Sequence, residues 1–449
     1  MRLKLITKRI IVSIAFFINY SSILVASNDS VKVRESVKKG WNFGVLPAIS
    51  FDSDLGFQYG GIVNAFNYGD GSCYPKYNHS LYFEESKCTK GSGISRFFYD
   101  SDKFIKHCRF SVDLSYLIDQ AFSFYGFNGI QSNYNKNFID SEQDDYKTRM
   151  FYAYNRSLFR VEPIIQCPIY RKLKCILGVG IYNYDIANVN INKLNEGKSN
   201  EDILPNVDGL FEKYKKWGII PVKEQRGGWY NHAILGIAYD TRDNEANPMH
   251  GVRDEVLLGI APTFLGNRNN SLKISVIHKQ YLTIIKHKLS FCYRLMWQGN
   301  EGAMPWYAKQ LMLKSYPLGA YSEGVGGGKT VRGILRYRLI GNDFAFGNFE
   351  FRYMFGYKRI MNQNFHLGVN TFYDAGIITR FIPIEISTIP KSDVDTYISN
   401  YKSDVLHQSV GLGLRVIMNE NFIVAFEYGR ALAIQDGNSG FYLNLNYLF

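Results

Sequence analysis

A glycine-rich run that contains a lysine, GVGGGKTVRG at 324–333, is the first stretch whose residue types could carry chemistry. A phosphate-binding loop requires G-x-x-x-x-G-K-[ST], in which backbone N–H groups surround the phosphates and the lysine reaches them. Counting back from the Gly-Lys-Thr triplet places Glu323 where the first glycine should stand, one residue before Gly324. The segment that follows reads as a strand without a helix start. The run is therefore predicted to hold Arg332 at the tip of a glycine-rich loop.

The other residue types that carry chemistry form no catalytic or metal-binding set. The eight histidines are scattered along the chain, and no G-x-S-x-G nucleophile motif occurs. His107, His278 and His287 stand in strand-like or turn segments, where a surface histidine is the ordinary interpretation. The six cysteines match no zinc-binding spacing. We expect a protein that is not an enzyme and that binds no metal and no other cofactor.

The bulk composition favours strands over a bundle of membrane helices. Aromatic residues make up 16% of the 449 residues and there are 40 glycines, which suits strands, aromatic girdles and tight turns. The mean hydropathy is −0.18, whereas membrane helices would make the chain far more apolar. The formal net charge of +12 suits nucleic acid, anionic lipid or lipopolysaccharide. Because no long lysine or arginine run occurs, we expect contacts with outer-membrane lipid or lipopolysaccharide and none with nucleic acid.

The N-terminus has the pattern of an export signal. Four basic residues among the first nine precede a short apolar segment at 10–18 and small residues at 25–27. This pattern predicts cleavage after Ser27, so that residues 1–27 are a signal peptide and residues 28–39 a short N-terminal extension. An anchor helix is the alternative, although the apolar run ends at Asn19 and is short for a membrane span.

Two pairs of cysteines are spaced for disulfide bonds, which export permits. Cys167 and Cys175 flank the turn PIYRKLK and would pair across a hairpin. Cys73 and Cys88 would close one long loop. Buried free thiols are the alternative to both pairings.

Apolar and polar side chains alternate with a period of two from one end of the mature chain to the other. In GFYLNLNYLF, at 440–449, Phe441 and Phe449 share an apolar face, and Tyr442 lies on the polar one. The segments KLSFCYRLMWQ, NFEFRYMF and SVGLGLRV follow the same rule, and each predicts a strand with one apolar face. The polar faces carry charged residues: Glu350, Arg352, Asp374, Arg415 and Glu427.

Two architectures satisfy this alternation. A soluble sandwich buries the apolar faces between two sheets, whereas a membrane barrel turns them to lipid and keeps polar groups inside. The charged polar faces and the export signal favour the barrel, in which no strand edge is left in lipid. We expect an all-β fold, a transmembrane antiparallel barrel of about 16 strands over residues 40–449, in the outer membrane of a Gram-negative bacterium.

One segment, Asn200–Ile220, has helical periodicity. Its large apolar residues recur at helical spacing: Leu210, Phe211, Tyr214 and Trp217. It is predicted to be a short amphipathic piece of an extracellular loop, with binding to a partner or a membrane surface as the alternative. A second long loop, 299–330, contains most of the glycine-rich run.

Several motifs together make the sequence resemble one family, the BamA/TamA superfamily of outer-membrane assembly factors, also called bacterial surface antigens. They are the segment YDTRDNEANPMHG at 239–251, the triplet Val331-Arg332-Gly333, the segment GNFEFR at 347–352, the pentapeptide FYDAG at 372–376 and the closing strands. The chain departs from the family at Ile334, where an aromatic residue is usual.

The resemblance implies a latch inside the barrel. In this family the Arg-Gly tip of a long loop enters the lumen and meets an F-x-D-x-G motif on a strand. The corresponding residues here are Val331, Arg332 and Gly333 in the loop and Phe372, Asp374, Gly376 and Glu350 on lumen-facing strands. The period of two independently puts the first three of those strand residues on the polar face. An arginine–carboxylate pair in a shielded lumen can be bidentate; an ordinary structural ion pair is the alternative.

The resemblance also implies a function without covalent chemistry. The first and last strands of such barrels pair weakly, so the seam opens sideways and a client strand adds to the exposed edge. The seam would lie at Trp41 and Pro47 on one side and at Phe441 and Phe449 on the other, with Pro47 lacking an N–H donor. The implied partners are client outer-membrane proteins or secreted polypeptides.

The short stretch before the first strand leaves no room for a periplasmic domain, which requires at least about 50 residues. Members of the family that insert proteins usually carry periplasmic POTRA domains, so separate periplasmic subunits are expected to replace them. Two alternatives stay open: a passive channel or structural barrel without assembly activity, and a surface module that acts through the segment Asn200–Ile220.

Overall fold

The computed structural model describes residues 37–52, 56–316, 324–361, 363–419, 421–445 and 447–449, with side chains left out at 50–52. The predicted signal peptide and most of the predicted N-terminal extension lie outside these residues. None of the helices in the described part is long and apolar enough to cross a membrane.

The described chain is dominated by β-strands. Seventeen strands belong to one sheet. Their bounds are β1 Trp41–Pro47, β2 Ser50–Asp52, β3 Gly56–Asn67, β4 His79–Cys88, β5 Gly93–Ile105, β6 Cys108–Ser123, β7 Ala153–Tyr170, β8 Leu173–Ala187, β9 Gly227–Asp240, β10 Gly251–Ala261, β11 Ser271–Ile285, β12 Leu289–Gly302, β13 Asp343–Ile360, β14 Gln363–Arg380, β15 His407–Met418, β16 Phe422–Ala431 and β17 Ser439–Leu445.

The strands form an antiparallel meander. Each strand from β3 onward pairs with the next one along the chain, as far as β17. Strands β1 and β2 both pair with β3, so together they occupy one position in the sheet. The 17 strands therefore fill sixteen positions, which confirms the predicted all-β antiparallel fold.

The two faces of the sheet differ in the way that a membrane barrel requires. On β13, Asn348, Glu350 and Arg352 are almost fully buried, whereas Phe351 and Tyr353 between and beyond them are 51% and 41% exposed. Polar and charged groups thus lie inside, and apolar side chains cover the outside. A soluble sandwich would bury its apolar faces, so this distribution favours the barrel.

Long and short connections lie at opposite ends of the strands. At the long-loop end, residues 124–152, 188–226, 303–342 and 381–406 join β6–β7, β8–β9, β12–β13 and β14–β15. At the short-turn end, β5–β6, β7–β8 and β11–β12 are joined by two or three residues each. Outer-membrane barrels have this asymmetry, with their longer loops outside the cell.

Four short helices occur in the described loops, where the sequence predicted one helical segment. They are α1 Ile191–Asn195, α2 Leu210–Lys216, α3 Trp306–Lys309 and α4 Lys391–Tyr397. Helices α1 and α3 are only five and four residues long, which is too short for an apolar periodicity to be recognised in the sequence. Helix α4 is as long as α2, but Tyr397 is its single buried residue, so its sequence shows no apolar face.

The long loops pack together into a cap over their end of the sheet. Helix α2 buries Phe211 and Tyr214 completely, and Tyr214 meets Phe124 of the β6–β7 loop at 5.2 Å between ring centroids. The Trp217 indole N–H donates to Asp393 Oδ2 of α4 at 3.0 Å. The apolar side of α2 is therefore occupied within the cap, which argues against the alternative that it binds a membrane surface or a partner.

The described residues of the loop between β12 and β13, 303–316 and 324–342, enter the interior and are called the plug loop here. Its Ser315 Oγ accepts from Arg253 Nη2 on β10 at 2.9 Å, and its Ser315 carbonyl accepts from Gln166 Nε2 on β7 at 3.0 Å. Its Tyr316 ring lies 5.2 Å from the Phe98 ring on β5. Because the same loop also contacts β13, β14, β16 and β17, as described below, the sheet must curl around it.

One disulfide joins neighbouring strands near the short-turn end. Cys108 on β6 is bonded to Cys167 on β7, while Cys73, Cys88, Cys175 and Cys292 form no disulfide bond. Both predicted pairings are therefore wrong. Cys167 stands opposite Cys175 on β8 as well, and the hairpin spacing pointed to that partner, but only the register of β6 reveals Cys108 on the other side.

We expect peptide mapping without reduction to recover Cys108 linked to Cys167. Cys108→Ala should lower the free energy of unfolding by about 2–4 kcal/mol, because the bridge restrains the unfolded chain. Cys175→Ala is the matched control and should leave the linkage and the stability unchanged. Recovery of a Cys167–Cys175 peptide from the wild-type protein would contradict the assignment.

Candidate functional site

The glycine-rich run folds into tight turns in which backbone N–H groups donate to acceptors of the same loop. The Gly326 N–H donates to Thr330 Oγ1 at 2.8 Å, and the Gly327 N–H donates to the carbonyls of Val331 and Ile334 at 3.0 and 3.1 Å. Gly326 and Gly327 have φ angles of 119° and 86°, which favour glycine. These N–H groups already have protein acceptors, so the run is not a phosphate cradle.

The turns place Arg332 against Asp374 on β14. The Arg332 Nε and Nη2 atoms donate to the two carboxylate oxygens of Asp374 at 2.8 and 2.9 Å. The Arg332 backbone N–H adds a third bond to Oδ2 at 3.0 Å. Both side chains are completely buried. This is the bidentate geometry that a planar guanidinium and a carboxylate adopt in a shielded site.

Two further carboxylates complete the surroundings of the guanidinium. Arg332 Nη1 lies 2.6 Å from Glu350 Oε1 on β13 and 2.6 Å from Glu427 Oε1 on β16. Arg352 Nε donates to Glu350 Oε2 at 2.7 Å, and Arg415 Nη2 donates to Glu427 Oε1 at 3.0 Å. Three arginines thus face three carboxylates, and the excess negative charge around Arg332 is offset by its neighbours.

Glycines on the strands make room for the loop tip. The Phe372 ring covers the Arg332 guanidinium, with the ring centroid 3.5 Å from Cζ. A Cβ on Gly411 of β15 would lie 2.2 Å from that ring, so the ring could not take this place beside a larger residue. A Cβ on Gly376 would lie 3.0 Å from Val325 and 3.2 Å from Val331. The glycine of the F-x-D-x-G motif therefore leaves space for the loop.

The loop tip also holds the last strand. The Gly333 N–H donates to the Tyr442 hydroxyl on β17 at 2.9 Å. Gly333 has a φ of 88°, and a Cβ there would lie 2.7 Å from the Arg430 backbone nitrogen, so the position requires glycine. The Asn444 amide, also on β17, donates to Glu427 Oε2 at 3.3 Å. Strand β17 is thus fixed on its inner side by the same cluster.

We call Val331, Arg332, Gly333, Glu350, Phe372, Asp374, Gly376, Glu427 and Tyr442 the latch. The structure brings together all seven latch residues that the sequence singled out. It adds Glu427, which alternation had already put on a polar face, and Tyr442, which alternation had put on the polar face of the last segment. Neither belongs to a motif quoted for the family, so their part in the latch could not be read from the sequence.

Three of the four residues predicted for the seam lie on the first and last strands, and one does not. Trp41 and Pro47 lie at the two ends of β1, and Phe441 lies on β17, so these three stand on the first and last strands. The prediction that Phe449 lies at the seam is wrong. Strand β17 ends at Leu445, and Phe449 is only 5% exposed, on the inner side of the sheet. Its ring centroid lies 4.7 Å from Arg352 Cζ, and the strand-like alternation does not continue to this residue.

The contacts of the latch hold one loop against several strands. Within the part of the chain that the structure describes, no group of three or more His, Cys, Asp or Glu side chains could hold a metal ion. The latch has no nucleophile paired with a base. It joins one loop to β13, β14 and β16 by charged hydrogen bonds, which are strong because the groups are buried and paired. It joins the same loop to β17 by the neutral hydrogen bond from the Gly333 N–H to the Tyr442 hydroxyl.

We expect Arg332→Ala to lower the free energy of unfolding by about 3 kcal/mol, because it leaves three buried carboxylates facing an empty space. Urea titration of the protein in detergent micelles, read by tryptophan fluorescence, measures the shift. Arg171→Ala, at an exposed residue of the β7–β8 turn, is the matched control and should have little effect. The double variant Arg332→Ala/Asp374→Ala should lose less than the sum of the two single variants. Unfolding of Arg332→Ala at the wild-type urea concentration would contradict the assigned role.

Comparison with solved structures returns outer-membrane barrels at low identity. BamA from Haemophilus ducreyi lacking POTRA domains 1–3 is 14% identical with a TM-score of 0.48, covering 91% of this chain and 69% of that one. CdiB from Escherichia coli is 11% identical with a TM-score of 0.49, covering 90% of this chain and 62% of that one. The chain thus spans less than two thirds of CdiB. No curated protein sequence matches it.

The family assignment comes from the sequence profile. The profile described as the Omp85 superfamily domain matches residues 90–449, which include every latch residue and thirteen complete strands, β5 to β17.

 Because the match covers well over half of the chain, it confirms the resemblance drawn from the motifs, and the protein belongs to the Omp85 superfamily.

Proposed function

We propose that this protein helps to insert or translocate polypeptides at the outer membrane of a Gram-negative bacterium through a lateral seam between β1 and β17. The observation that carries the proposal is a free strand edge beside a filled interior. The proposal concerns mechanical work on a client chain and involves no enzymatic step.

The described residues of the two edge strands, β1 and β17, form no ladder with each other across the seam. In the described residues no ladder pair joins β1 to β17, and β17 pairs with β16 alone. Some of their outward side chains are highly exposed: Phe441 and Val45 are 83% and 67% exposed, whereas Phe426 on β16 is 50% exposed. An unpaired edge is a template to which another strand can add.

The interior offers no comparable route. The plug loop crosses the lumen from β5 to β17, and the cap closes over its upper part. Arg338 of the plug loop is 1% exposed and donates to the carbonyls of Gly129 and Ser132 in the β6–β7 loop at 3.1 and 2.9 Å, which ties plug to cap. This arrangement supports a sideways path for a client and disfavours the alternative of a passive channel.

The latch would control how firmly β17 is held. Strand β17 has one strand neighbour, so its remaining support comes from its inner face, where Tyr442 and Asn444 meet the loop tip and Glu427. Release of Arg332 from its carboxylates would remove that support. The clients we propose are unfolded outer-membrane barrels or secreted polypeptides, delivered by separate periplasmic subunits.

A covalent lock across the seam should stop the activity. We expect disulfides between cysteines at Phe43 or Val45 on β1 and at Phe441 or Leu443 on β17 to abolish insertion of a urea-unfolded client barrel into liposomes. The four cysteines outside the disulfide are first replaced by alanine. Protection of the client from protease measures insertion, and reduction should restore it.

The matched control is a disulfide between Phe426→Cys and Leu443→Cys, which are register partners on β16 and β17. This bond joins strands that are already paired, so it should leave insertion unchanged. Equal insertion by the seam-locked and the reduced protein would refute the lateral route.

We expect the wild-type protein to show no large steady conductance in planar bilayers, because the plug loop fills the lumen. A variant in which residues 324–341 are replaced by a short Gly-Ser linker should conduct steadily. Steady wild-type conductance that persists in the seam-locked variant would favour the passive channel instead.

A further inference from the structure

An apolar groove of about 490 Å³ lies on the outer face of the sheet, across β11 to β14. Its large lining residues include Val276, Leu295, Trp297, Phe349 and Leu406. All of these belong to the apolar exterior described above. The groove shares one lining residue, Gly376, with the latch, and its other lining residues belong neither to the latch nor to the plug loop or the seam.

The register of the strands explains the groove. Gly347 on β13 stands opposite Ala375 on β14, and Ala345 precedes it on the same face. On the β12 side, Leu295 pairs with Gly347 and Trp297 with Ala345. Three small residues therefore lie side by side, and large side chains border them.

The side chains around Gly347 leave little room for a larger residue on the floor of the groove. A Cβ on Gly347 would lie 3.1 Å from Leu295 Cδ2 and 3.2 Å from Phe349 Cε2. Ala375 faces outward but is only 8% exposed, whereas Trp297 beside the groove is 38% exposed. The depression is thus a consequence of residue size at paired positions on a face that otherwise carries large side chains.

We propose that this groove binds one acyl chain of a bilayer lipid, in the leaflet next to the long loops. The inference rests on the proposed placement of the barrel in a membrane, and it adds a site that the proposed function does not include. The groove is continuous with the surface that faces hydrocarbon, so an acyl chain can enter it from the side. Its volume falls in the range of small-ligand sites.

The chemistry of the lining favours an acyl chain over a polypeptide. The backbone groups of the floor are engaged in the ladders of β12, β13 and β14, so an added strand would find no hydrogen-bond partners there. The polar lining residue His278 already contacts Asp254 Oδ1 at 2.5 Å and the Tyr293 hydroxyl at 3.2 Å. An acyl chain has no polar groups, so its binding leaves no buried hydrogen-bonding group without a partner.

The groove lies on the outer face of β13 and β14, the strands whose inner faces carry latch residues. Strands β13 and β14 direct Glu350 and Asp374 inward, and Gly347 and Ala375 of the same strands outward. A bound acyl chain would therefore pack against the outer side of the strands that hold Arg332.

Quenching of Trp297 by brominated lipid tests the site. Trp41 and Trp229, which are 46% and 50% exposed, are replaced by phenylalanine, while Trp217 and Trp306 stay buried in the cap. The protein is reconstituted in phosphatidylcholine vesicles with increasing fractions of lipid dibrominated in the acyl chain. The reciprocal variant Trp41→Phe/Trp297→Phe reports Trp229 on the open exterior.

We expect Trp297 to reach half-quenching at an about fourfold lower fraction of brominated lipid than Trp229, the factor that corresponds to one additional buried methylene group. Ala345→Leu, or Ala375→Leu if the first variant does not fold, should fill the groove and remove the difference. Ala233→Leu, an outward position on β9 away from the groove, is the matched control and should preserve it.

Equal half-quenching of Trp297 and Trp229, or a difference that survives filling of the groove, would overturn the proposal. Absence of quenching at both tryptophans would instead contradict the placement of the barrel in the membrane, so the two failures can be distinguished.

Discussion

The buried Arg332 guanidinium, enclosed by Asp374, Glu350 and Glu427, is the interaction on which the rest of the arrangement depends. A charge taken out of water is tolerated only when oppositely charged partners surround it with good geometry. The planar guanidinium imposes that geometry on carboxylates from β13, β14 and β16. One loop residue therefore sets the relative positions of three strands, and the adjacent Gly333 extends the hold to Tyr442 on β17.

The interior of the barrel is tightly packed, whereas its seam is weakly held. The lumen is filled by the plug loop and closed by an aromatic cap, whose rings are buried and packed at angles. The seam has no ladder between β1 and β17 in the described residues, and some of its outward side chains are highly exposed. A rigid interior next to a weak edge is the combination that a lateral path requires, because the strands beside the edge must move while the rest of the sheet keeps its register.

Much of the fold could be read from the chain, and the failures have local physical causes. Alternation placed Glu350, Arg352, Asp374 and Arg415 on inner faces because a strand turns successive side chains to opposite sides. It failed at Phe449, where the chain leaves the strand after Leu445 and the period of two no longer applies. The hairpin spacing of Cys167 and Cys175 was equally local, whereas the real partner, Cys108, lies on the preceding strand at a separation of 59 residues.

The sequence by itself determined the class of the protein: strands with charged inner faces, a glycine-rich loop with an arginine at its tip, and an F-x-D-x-G acceptor. These properties follow from residue types and short spacings. The tertiary structure decided which distant groups meet. Glu427 and Tyr442 join the latch, Gly411 makes room for the ring of Phe372, and three small residues form a groove on the outer face. Such contacts depend on strand register and on the path of a long loop, which bring together residues that no spacing along the chain relates.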